Sequence, residues 1–212
     1  MRDYKTFFLK EKNESWRYAL DRYKDFLNSD MKNYSGKNDY SYRFIDNSSY
    51  QFHLRPRVPQ SVMTDFTKEN DMKVPFPLIN MMCNYGTFKI GSGIMEVFDD
   101  KMFRNLSEML MYCGAASFIN SIGLGVLTSL NQYYYFFGIS FPESEEPSFL
   151  YFNKSGYFGK MTFARNNPDY VLKKILPSMF NGSIERFTLD SLISNQVDRV
   201  ITSALVVRGY ID

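Results

Sequence analysis

Between residues 13 and 28 the apolar positions recur with a helical period. Trp16, Ala19, Leu20, Tyr23, Phe26 and Leu27 fall at i, i+3, i+4, i+7, i+10 and i+11, a spacing that puts them on one stripe of a helix. Asn13 or Ser15 is placed to cap it, because a short polar side chain accepts a hydrogen bond from a first-turn amide. Asp21 and Asp25 join the basic residues on the opposite side, so core packing is expected rather than membrane contact. Residues 30–57 lose the period. Asn, Ser, Asp and Tyr dominate there, predicting a long loop or two strands, Tyr40–Ile45 and Tyr50–Leu54, turning at Asp46-Asn47-Ser48. A boundary is expected here, between an N-terminal helix and loop or strand extension, residues 1–57, and a main unit, residues 58–212.

The main unit opens at Val58-Pro59 with a helix from Gln60 to Glu69, Val62, Met63 and Phe66 on one side. Leu78 to Tyr85 predicts another, stopped at Gly86, where a missing Cβ permits left-handed backbone. Thr87–Ile90 is a turn or short strand and Gly93–Phe98 a strand. Asp99 or Asp100 is expected to cap a helix running to Tyr112, with Met102, Phe103, Leu106, Met109 and Leu110 inward.

From Met109 to Pro142 the chain has no Asp, Glu, Lys or Arg, although 23% of all residues are charged. An unpaired charge is costly to bury, so a charge-free stretch is expected inside, as the central layer of one hydrophobic core. Within it Gly123–Leu127 is expected to begin a strand and Tyr133–Phe141 to form another, the indistinct period being that of a strand covered on both faces. The stretch from Met109 to Leu127 is about long enough to cross a membrane; its three glycines, its serines and Asn120, and the tyrosine-rich strand that follows, argue against that. After an acidic loop, Pro142–Pro147, the segments Ser148–Asn153 and Tyr157–Phe163 predict a hairpin about Lys154-Ser155-Gly156. Pro168 suits the first turn of a helix, Asp169–Leu176. Thr188 or Asp190 can cap a last helix with Leu189, Leu192, Ile193, Val197, Val200, Ile201 and Leu205 inward. Helices, then a meandering sheet, then helices define the α+β class: a central, mostly antiparallel sheet flanked by helices.

Composition sharpens this picture. At 212 residues a single domain is the default, and 44% hydrophobic with 17% aromatic content supplies a sizeable core. A net charge of +2 with mixed signs gives no clustered basic face, so nucleic acid is not an expected partner. The first sixteen residues are charged throughout, with no apolar core of a signal peptide. Cys83 and Cys113 are expected to be free thiols in a reducing, cytoplasmic setting, and with His53 as the one histidine a Cys/His zinc set cannot be assembled. No metal and no cofactor is expected.

The usual catalytic constellations are missing. His53 sits in an alternating run and reads as structural; no Gly-x-Ser-x-Gly elbow exists. The glycines between Gly86 and Gly93 lack the Lys-Ser/Thr ending of a phosphate loop. Gly91-Ser92-Gly93 and Gly123-Leu124-Gly125 read as turns. The remaining candidates are groups for docking. Glu143, Glu145 and Glu146 lie between two prolines. They form either a solvated loop or a negative patch that steers a basic partner, such as a nuclease, onto the surface. Tyr133 and, if exposed, Tyr40 and Tyr50 are candidate anchor or rim groups, because tyrosine supplies amphipathic contact area; the tyrosines of residues 30–57 read otherwise as ordinary half-buried strand residues.

One stretch resembles a known family. Residues 58–110 have a Val-Pro start and short helix, then Leu78 to Tyr85-Gly86, a Gly-containing strand from Gly91 to Phe98, and an acidic-capped helix from Asp99 to Leu110. Further on, Phe137-Gly138 looks like a Phe-Gly turn, and Phe149-Leu150-Tyr151-Phe152 like the strand after it. This order resembles the GAD-like domain joined to type VI secretion immunity modules of the Tdi type, and is also similar to the SUKH superfamily of bacterial immunity proteins. The resemblance implies a non-enzymatic, cytoplasmic antitoxin, monomeric or homodimeric, that binds a cognate toxin effector and blocks it by occupancy. An enzyme of unrecognised type and a structural or assembly module of phage origin stand as the alternatives.

Overall fold

A computed structural model describes residues 14–30, 50–91, 94–99, 103–112, 114–141, 146–162 and 187–207. Six strands form one antiparallel meander, each paired with the next in the chain: β1 (Phe52–Leu54), β2 (Phe88–Ile90), β3 (Met95–Val97), β4 (Tyr134–Ser140), β5 (Ser148–Asn153) and β6 (Phe158–Thr162). Successive side chains of a strand point to opposite faces, and β4 and β5 are covered on both. Tyr135, Phe137, Leu150 and Phe152 join one apolar cluster. Tyr134, Phe136, Ile139, Phe149 and Tyr151 join a second. The expectation of one core is thus corrected to two, one on each side of the sheet.

Within β4 the register shifts between Phe136 and Gly138. A Cβ at Gly138 would run into the Glu96 carbonyl oxygen, so glycine is what lets β3 and β4 approach at this bulge. The Phe137-Gly138 pair is therefore a bulge inside a strand, not the turn that the resemblance implied.

The first cluster is covered by α1 (Trp16–Asp30), α2 (Gln60–Asn70), α3 (Phe76–Asn80) and α7 (Leu189–Val207). The α1 stripe behaves as its spacing demands: Ala19, Leu20, Tyr23 and Phe26 are fully buried, as are Leu192, Ile193, Val197, Val200, Ile201 and Leu205 of α7. The two helices are tied by polar links as well. Asp190 accepts a 2.7 Å hydrogen bond from the Trp16 amide, and the buried Arg22 bridges Glu14 (2.8 Å) and Asp198 (2.6 Å). Ser15 caps α1 through the Tyr18 amide, and Thr188 caps α7 through the Ser191 amide. Past Asn80, α3 widens into a turn over Met81–Tyr85 in which the Gly86 amide reaches the Met81 carbonyl at 2.9 Å. Gly86 closes it at φ +122°, and a Cβ there would meet the Arg55 carbonyl oxygen.

The second cluster is covered by α4 (Leu106–Tyr112), α5 (Ser117–Ile122) and α6 (Leu124–Tyr133). Two expectations are corrected here. The helix expected from Asp99 or Asp100 begins only at Leu106. Before it, Arg104 pairs backbone to backbone with Phe136 of β4 at 2.8 and 2.9 Å, and an extended residue cannot also be helical. The cap is Asn105, in a reciprocal pair with Glu108: each side chain accepts from the other's amide, at 3.0 and 2.9 Å. Gly123–Leu127 is not a strand. Gly123, at φ +85°, separates α5 from α6, and Leu127 and Leu130 are three apart on the inward side of α6.

The strand Tyr40–Ile45, the helix Asp169–Leu176, and Asn13, Asp100, Met102 and Cys113 lie outside the described residues. Among those described, no helix is long and apolar enough to cross a membrane.

Candidate functional site

The residues singled out for docking part company in the fold. Glu143, Glu145 and Tyr40 lie outside the described residues. Glu146 is exposed just before β5. Tyr133 closes α6 with 37% of its surface exposed, its hydroxyl 2.8 Å from the Ser155 hydroxyl in the β5–β6 turn. Tyr50 is corrected from candidate anchor to core residue. It is fully buried, and its carbonyl accepts a 2.7 Å bond from the Tyr23 hydroxyl. The first core needed a large ring between α1 and the sheet, and Tyr50 fills that place.

The charge-free stretch is only half interior. β4 is buried along its whole length. The helices before it carry Met111 (56% exposed), Tyr112, Leu124 (83%), Val126 and Tyr133 in contact with solvent. Five large, largely apolar side chains thus reach water within a segment that offers no charge of its own. The last turn of α4 is held in place from below. The Arg104 guanidinium lies 3.9 Å from the Phe98 ring centre and 4.4 Å from that of Tyr112, a cation–π stack. Arg55 reaches Glu96 at 2.9 Å and Asp99 at 2.7 Å.

The first turn of α4 borders something different, a cleft of about 790 Å3 between α2 and the segment from Asp99 to Glu108. Helix α2 contributes Val62, Asp65, Phe66 and Glu69, spaced i, i+3, i+4 and i+7. The facing wall contributes Asp99, Phe103 and Glu108, and Tyr135 of β4 closes the inner side. Phe66 stands edge-to-face with both Phe103 (4.6 Å) and Tyr135 (5.1 Å). Burial, and then the Glu108 carboxylate, push the Tyr135 phenol above its usual value, and its hydroxyl is held by Asn70 at 3.2 Å. Among the described residues, four carboxylates line the cleft against one guanidinium, Arg57. Arg57 also borders a second cleft of about 630 Å3, shared with Arg17, Trp16, Tyr85, Asn80 and Asn84. Among the described residues, no carboxylate lines that one.

For bond-making the described residues offer little that converges. His53 is exposed on the edge strand β1, opposite Lys89. Burial raises the pKa of the Cys83 thiol, which disfavours the nucleophilic thiolate. No three His, Cys, Asp or Glu side chains among the described residues group as metal ligands. Sequence reasoning placed the helix that carries Asp65 and Glu69, but not the wall that faces it. Their period on α2 was visible; the cleft depends on Phe103 and Glu108, some 40 residues away in sequence.

Comparison with protein-family models, with curated proteins and with solved structures finds no match to this chain.

Proposed function

We propose that this protein is an immunity protein: a cytoplasmic antitoxin that binds a cognate bacterial toxin effector and blocks it by occupying its active site or substrate path. The reading begins with the resemblance of residues 58–110 to immunity modules of type VI secretion. The observation that carries it further is the exposed, charge-free helical surface of residues 111–133. Large apolar side chains left exposed within one short stretch of chain offer contact area to another molecule, and tyrosine, as at Tyr112 and Tyr133, is a residue type that contributes heavily to binding energy. Occupancy alone silences a toxin when binding is tight, at about 12 kcal/mol for nanomolar affinity. Glu146, exposed just before β5, acts with Glu143 and Glu145, close to it in sequence, as a rim group that speeds encounter with a basic toxin.

The reading expects a toxic domain encoded in the adjacent reading frame. Co-expression of that domain with this protein restores growth, and the two purify as one complex. A neighbouring product that is not toxic, or turnover of a substrate by the purified chain alone, overturns it.

A further inference from the structure

We draw no further inference here: the strongest candidate, the outer edge of β1, where the Phe52 and Leu54 backbone groups point away from β2, with the cleft beside it that Leu54, Trp16, Arg17 and Tyr85 line, carries none, because nothing in the structure shows what covers it.

Discussion

Residues 111–133 and strand β4 are consecutive and equally devoid of charge, yet one segment faces water and the other does not. In β4 every side chain is buried, because helices cover both faces of the sheet. In α6 only one side has a neighbour among the described residues. Leu127 and Leu130 pack down, while Leu124 and Val126, on the same short helix, turn outward. α6 is uncharged but not apolar all round: Thr128, Ser129 and Gln132 face water alongside Leu124 and Val126. The difference teaches that a missing charge reports contact with something apolar, and that this can be the protein's own interior or another molecule.

The comparison can be broken most forcefully from the β4 side. Phe137 is fully buried and edge-to-face with Phe158 at 5.9 Å. Phe137→Ala is expected to cost about 3–5 kcal/mol in urea unfolding, since the cavity it leaves in the sheet can close only in part. A loss under about 1 kcal/mol would show β4 to be no more interior than α6.

A smaller effect comes with alkali. Burial, and then the neighbouring Tyr133, push the Tyr134 phenol up to about 12, against about 10 in an unfolded chain. The unfolded chain therefore releases this proton first. The stabilising contribution of the neutral phenol is complete below about pH 10 and is lost as pH rises through 12. Urea midpoints measured across that window should fall, and fall less steeply in Tyr134→Phe. Equal slopes would mean that Tyr134 titrates as a surface group.

The smallest effect is the most pointed. Leu124 is 83% exposed, and Leu124→Ser is expected to shift stability by no more than about 0.5 kcal/mol. A cost like that of Phe137→Ala would mean that the outward face of α6 is covered after all.

Much of this fold was legible where a period of apolar residues could be tested against both ends of an element. The stripes of α1 and α7, helix α2 and the β5–β6 hairpin are of this kind. Errors arose where a local signal outran its context. Asp99-Asp100 looks like a helix start, but Asp99 is drawn to Arg55, 44 residues earlier in sequence, and β4 keeps Arg104 extended. The true cap, Asn105 with Glu108 three residues on, was present in the sequence and went unread behind the stronger acidic pair. Tyr50 illustrates the opposite failure: a polar, loop-like neighbourhood conceals a ring needed by the core. The cleft was the least legible feature, because its walls come from separate elements and only folding brings Phe66 against Phe103 and Tyr135.

The central claim is that the exposed face of residues 111–133 works by docking. Its most direct test is the growth of cells that carry the toxic domain which the proposal expects in the adjacent reading frame, together with either the wild-type chain or Leu124→Asp with Val126→Asp, the variant first shown to unfold at the wild-type urea midpoint. Growth restored by the wild type and not by the equally stable variant is the predicted result; equal protection by both would contradict it.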